Sequence, residues 1–103
     1  KRVSEKDADA CAWVFSDNKT FEKYYYKHPE LAKDDVRVRI LSSGLCMTDS
    51  HTCREHWGKC AYFPISPGHE IVGVVEAVGK DIKEFKNGEK VMLGPFRDSC
   101  GNC

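Results

Sequence analysis

The segment Ile71-Val72-Gly73-Val74-Val75-Glu76-Ala77-Val78 constrains this chain more than any other stretch. Five of its eight residues are Val or Ile, whose branched side chains suit a pleated strand better than a helix. Their density predicts a strand buried on both faces. Gly73, inside the run, predicts a point where another backbone or side chain comes close. Ser66-Pro67-Gly68-His69-Glu70 leads straight into this strand. An imidazole and a carboxylate side by side at the mouth of an apolar strand have two readings. They are either solvated residues closing a turn, or they face a site.

The totals remove several classes of function. A chain of 103 residues is long enough for one domain with a modest core. Lys plus Arg and Asp plus Glu both number 16, so there is neither a basic stripe for nucleic acid nor an acidic disordered tail. No apolar run approaches the ~18 to 20 residues of a membrane helix, so no membrane insertion is expected. Lys1 to Asp7 is charged and lacks the apolar core of a signal peptide. A cytoplasmic, reducing setting is therefore expected. The six cysteines, Cys11, Cys46, Cys53, Cys60, Cys100 and Cys103, then read as metal ligands or free thiols rather than disulfides.

The rest of the chain punctuates itself. Residues 1–9 form a polar tail expected to be loose. Residues 10–103 form the folded domain. Cys11–Phe15 and Phe21–Tyr26 predict two strands joined across the turn Asp17-Asn18-Lys19. Val36, Val38 and Ile40 alternate with Arg37 and Arg39, the signature of a half-buried strand, and Gly44 breaks it. Thr48 to about Trp57 is compatible with a short helix capped by Thr48. A loop punctuated by Pro64 and Pro67 follows. Asn87-Gly88 predicts a turn, Lys90–Leu93 a last short strand, and the end a loop. The sum is a mainly β domain of short strands, most simply a barrel.

Three groups of residues carry chemistry. Cys100-Gly101-Asn102-Cys103 is a CxxC pair. It has the spacing to grip one zinc ion, the spacing of a redox dithiol, and also the look of two plain loop thiols. Cys46, just after Gly44, together with His69 and Glu70, offers a thiolate, an imidazole and a carboxylate from separate segments. Spacing alone does not bring them together. Thr48 and Asp49 also suit a plain helix start, one as cap and the other against the positive end of the helix. His51 also suits a surface ion pair with Glu55, four positions on.

Taken together, "GHEIVGVVEAVG" (Gly68 to Gly79), "GLCMTDSH" (Gly44 to His51) and "SCGNC" (Ser99 to Cys103) resemble three ordered motifs of the zinc-containing alcohol dehydrogenases. The likeness is to the cinnamyl alcohol dehydrogenase branch of the medium-chain dehydrogenases, and it runs from about Cys11 to the end. It implies a GroES-like β-barrel with short helices. By residue match it implies that Cys46 and His69 are ligands of a catalytic zinc, with Glu70 beside the metal and ligating it in some states. Cys100 and Cys103 match part of a structural-zinc lobe. Asp49 matches the acid that hydrogen-bonds the ligand histidine. Thr48 and His51 match the catalytic groups that carry the substrate proton outward, and Trp57 a bulky residue of the substrate pocket.

The resemblance also implies what is not in the sequence. No G-x-G-x-x-G lies between a strand and a helix. A third cysteine ligand for the catalytic zinc and half of the structural-zinc cysteines are missing. Met47 stands where many relatives carry a histidine near the cofactor phosphates. The expectation is a domain incomplete at its C-terminus, inactive alone, with the Rossmann domain absent. The parent would oxidise primary alcohols or reduce aldehydes with NADP or NAD bound mainly by the missing domain, and would form a homodimer. The competing expectation is a non-catalytic scaffold or assembly subunit derived from the same family.

Overall fold

The structure, a computed structural model, describes residues 1–59 and 61–103; Cys60 lies outside the described residues. The elements are a short 3-10 turn at Glu5–Asp7, strands β1 (Ala10–Phe15), β2 (Phe21–Tyr26) and β3 (Val36–Ser43), helix α1 (Met47–Cys53), and strands β4 (Ile71–Val78) and β5 (Lys90–Leu93). Among the described residues, hydrogen bonding joins the strands into two sheets, β1-β2 and β3-β4-β5, rather than one closed barrel. The chain divides into two compact units. One holds residues 1–29 and 46–67, the other residues 30–45 and 68–103.

In the first unit, β1 and β2 form an antiparallel hairpin in register from Ala10 opposite Tyr26 to Phe15 opposite Phe21. Asp17 builds the turn: its Oδ1 accepts the N–H groups of Lys19 (2.7 Å) and Thr20 (2.6 Å). This is the local bonding that makes Asp a turn former. The same backbone N–H groups, Lys19 first, hold its carboxyl below the ordinary carboxylate value. Trp13 and Phe21 stack with ring centres 5.2 Å apart, and Phe15 leans on Phe21 at 4.9 Å. Phe15 also exchanges both backbone hydrogen bonds with Ile65, at 2.8 and 2.9 Å.

Backbone hydrogen bonds tie parts of the first nine residues to β2. Val3 N–H donates to Tyr25 O (2.9 Å), Asp9 N–H donates to Tyr26 O (3.3 Å), and Arg2 bridges to Tyr26. The edge of β2 offers unpaired backbone groups, and the polar tail satisfies them. Composition alone does not reveal such backbone pairing.

In the second unit, β4 is the central strand, antiparallel to β3 on one side and β5 on the other. Val75 is buried, 1% exposed, whereas Val72 is 38% exposed and Glu76 faces water. The expected burial on both faces is thus replaced by alternation, as in an antiparallel sheet with one wet face. In β3 the alternation also lapses: Ile40 is 58% exposed. Register shifts between Arg37 and Val38 and between Ile40 and Ser42 rotate the strand away from a strict two-residue repeat. The Asn87-Gly88 turn forms as expected. Gly88 has φ 90° and its N–H donates to Val75 O at 2.9 Å.

Gly73 is the point of close approach that the sequence implies. A β-carbon there would meet Val38 Cγ1 and lie 2.6 Å from the Arg39 carbonyl oxygen. Backbone cannot retreat as a flexible side chain can. Gly73→Ala is therefore expected to destabilise the chain by about 1 to 3 kcal/mol, read as a lower urea midpoint. An unchanged midpoint would show that β3 and β4 pair less tightly than described.

Candidate active site

The first unit carries Cys46, Thr48, Asp49, His51 and Trp57; the second carries His69, Glu70, Cys100 and Cys103. Cys46 has extended backbone (φ −123°, ψ 147°) and caps helix α1, which begins at Met47. Asp49, three residues on, turns its carboxylate back so that Oδ2 accepts the Cys46 N–H at 3.2 Å. This reciprocal geometry explains the C-x-T-D spacing locally: the third position of a helix reaches back to its cap. Thr48 is therefore inside the first turn and is not the cap. Its Oγ1 lies 3.3 Å from Cys46 Sγ, so a hydroxyl stands directly beside the thiol.

His51 is in the last turn of α1, which stops at Cys53 rather than continuing to Trp57. Glu55 takes up a left-handed backbone (φ 56°) and Gly58 follows with φ 96°. The chain therefore curls beneath the helix, and His56 N–H donates to His51 O at 2.9 Å. The curl replaces the helical partner expected for His51. Its Nδ1 lies 2.9 Å from Nδ1 of His56, and its ring packs 4.8 Å from that of Trp57. Glu55 instead receives a hydrogen bond from Asn18 in the hairpin turn, at 3.3 Å. Sequence reasoning missed His56, because its approach depends on a left-handed residue that no local rule requires to be Glu.

In the second unit, Gly68 (φ 118°) turns the chain into β4. His69 Nε2 lies 3.8 Å from Glu70 Oε1, with the imidazole 24% exposed and the carboxylate side chain 54% exposed. The Gly44 N–H donates to Glu70 O at 2.7 Å. The start of β4 and the end of β3 are thus tied together, and the Glu70 carboxylate lies over Gly44.

A sequence model described as the alcohol dehydrogenase GroES-like domain matches residues 32–103. The chain belongs to that family. Cinnamyl alcohol dehydrogenase 3 of Arabidopsis thaliana is 40% identical over 95 residues, 91% of this chain and 25% of that protein. A probable mannitol dehydrogenase of Medicago sativa is 40% identical over 101 residues, 97% of this chain and 28% of that protein. Among solved structures, a cinnamyl alcohol dehydrogenase of Sorghum bicolor superposes with a TM-score of 0.82 at 37% identity, covering 90% of this chain and 26% of its own. The Helicobacter pylori cinnamyl alcohol dehydrogenase, solved with NADP(H), gives 0.80 at 34% identity, covering 90% and 27%. The mainly β fold is accordingly GroES-like, and the chain spans about a quarter of the length of the relatives it matches.

Among the described residues of this GroES-like chain, the five cysteines Cys11, Cys46, Cys53, Cys100 and Cys103 are free thiols. Cys100 Sγ lies 3.1 Å from Cys103 Sγ, around Gly101 with φ 64°. The contact with Cys103, and then the Asn102 N–H, hold the Cys100 thiol below its ordinary value. Cys53 is its opposite: burial first, and the Asp49 charge second, push its thiol up. Since the thiolate is the reactive form, iodoacetamide near neutral pH should label Cys100 early. Cys53 should resist until the chain is unfolded. Peptide mapping by mass spectrometry reads the order, and early labelling of Cys53 would contradict its burial.

Proposed function

We propose that this chain supplies the metal-binding and proton-carrying part of a zinc-dependent alcohol dehydrogenase that interconverts primary alcohols and aldehydes with NADP or NAD. The observation that carries the reading is the donor set on the matching motifs. Cys46 offers a thiolate, His69 an imidazole nitrogen and Glu70 a carboxylate oxygen, a mixture suited to catalytic rather than purely structural zinc.

Cys46 and His69 are the proposed ligands, with Glu70 as a ligand that enters and leaves. Zinc held there would supply Lewis acidity that favours the deprotonated alcohol and so assists hydride loss to a nicotinamide. The chain's own groups handle the proton. Thr48 Oγ1, beside Cys46 Sγ, takes the substrate hydroxyl proton and releases its own toward His51. The His51 ring is held by His56 and Trp57 and passes the proton outward. Asp49 fixes Cys46 through its N–H, and by motif match it is the acid proposed to hydrogen-bond the ligand histidine. Trp57, exposed, lines the substrate side.

Cys100 and Cys103 are proposed as two ligands of a structural zinc, and their paired thiols suit that use. A nucleotide-binding domain would provide the contacts to NADP or NAD, and the whole enzyme is proposed to be a cytoplasmic homodimer. Among the described residues no helix is long and apolar enough to cross a membrane.

Zinc titration of the chain tests the catalytic-metal assignment. In a background with Cys100→Ser and Cys103→Ser, one zinc should still bind after chelator treatment and reloading. Adding Cys46→Ser or His69→Ala should weaken that binding at least tenfold, judged against a chromophoric chelator, while the far-ultraviolet circular dichroism stays unchanged. Binding that is indifferent to both substitutions would remove the dehydrogenase mechanism and favour a scaffold.

A further inference from the structure

We infer that Gly44 is a positioning residue for Glu70: the space left by its missing β-carbon is where the Glu70 carboxylate rests. Two requirements can demand a glycine, a left-handed backbone or a lack of room for a side chain. The left-handed glycines are Gly58, Gly68, Gly88 and Gly101, and Gly44 is not among them. Its φ is not left-handed, so lack of room is the requirement the structure shows here.

The geometry shows what fills that space. A β-carbon at position 44 would overlap Glu70 Oε2 and lie 3.1 Å from Glu70 Cδ and 2.9 Å from Glu70 Cβ. The three nearest atoms all belong to one side chain. Meanwhile the two backbones are locked together by the Gly44 N–H to Glu70 O hydrogen bond of 2.7 Å, so they cannot separate to make room. The carboxyl end is the flexible end of a side chain that is 54% exposed. Filling the space would therefore evict the carboxylate, while Glu70 Cβ, fixed to its own backbone, would yield only by a small shift of the paired segments. This contrasts with Gly73, where a β-carbon would meet a neighbouring backbone carbonyl.

In its resting place over Gly44, the carboxylate keeps Oε1 3.8 Å from His69 Nε2. Evicting it would change the donor set of the metal site without substituting any proposed ligand. This consequence rests on the zinc reading above; the placement of the carboxylate does not. Gly44 acts on the metal site only through the Glu70 carboxylate, so its effect on zinc should vanish when the carboxylate is removed, while the 2.9 Å crowding against the position-70 β-carbon remains.

A double-mutant cycle tests this, using Gly44→Ala, Glu70→Ala and the pair, in the Cys100→Ser and Cys103→Ser background. Zinc affinity is read by chelator competition and the thermal midpoint by circular dichroism. Gly44→Ala and Glu70→Ala should each weaken zinc about tenfold, the scale of losing a group that supports a metal ligand. The pair should be no weaker than Glu70→Ala alone. The midpoint should fall on Gly44→Ala when Glu70 is present and fall less when position 70 is Ala. Multiplying affinity losses, wild-type affinity in Gly44→Ala, or an equal midpoint loss in both backgrounds would overturn the inference. If the parent background binds no zinc, the zinc reading fails by itself, and the midpoint cycle still decides whether position 44 holds the carboxylate. Should Gly44→Ala fail to fold even with Ala at position 70, the glycine serves the backbone and the inference is wrong.

Discussion

The antiparallel pairing of β3 with β4 is the constraint from which the chemistry of the second unit follows. That pairing carries the register from Val36 opposite Val78 to Ser43 opposite Ile71, and its last rung is the Gly44 N–H on the Glu70 carbonyl. A strand pair that closes at this rung places the end of one segment and the start of another within hydrogen-bond reach. His69 and Glu70 are then presented at the mouth of a central strand, where β-bonding on both sides limits their freedom. The pairing itself requires Gly73, since any side chain there would strike the backbone of β3. One glycine lets the strands approach, and a second leaves space for a carboxylate.

Helix α1 solves a comparable problem in the first unit with local means. A seven-residue helix is far too short to be stable from propensity alone. Its start is secured by Asp49 reaching back to the Cys46 N–H, and its end by burial of Cys53. The residues that hold the helix are thus interleaved with those assigned to chemistry. Cys46 is at once cap and proposed metal ligand, and Asp49 is at once capping partner and proposed support for a histidine. For these two residues a structural role at the helix start is compatible with the proposed one.

Surface charge contributes little by comparison. The Arg2–Glu22 and Lys33–Asp81 pairs are largely exposed, at 3.3 and 3.8 Å, and pairs of that kind are worth about 0 to 1 kcal/mol. Buried apolar contact is also modest: among the described residues Val14, Cys53 and Val75 are the buried hydrophobic side chains. Backbone pairing, turn bonding at Asp17 and the glycine contacts therefore set the detailed positions. Small errors in their placement would reach the site quickly, since His69 and Glu70 adjoin the β4 ladder directly.

The local pieces were legible in the chain. Branched residues marked β4, alternating charge marked β3, Asp17 and Asn87-Gly88 marked turns, and the motifs around Cys46, His69 and Cys100 pointed to a zinc dehydrogenase family. The strands and turns depend on torsional preference within a few neighbouring residues, which sequence states directly, whereas the family came from the resemblance of three ordered motifs. The tertiary structure alone decided that Val72 and Ile40 face outward, that Cys46 rather than Thr48 caps the helix, that His51 meets His56 instead of Glu55, and that position 44 must leave room for a carboxylate. Those outcomes depend on strand register, a left-handed residue and the direction of side chains from segments distant in the chain, and such relations exist only once the backbone has closed.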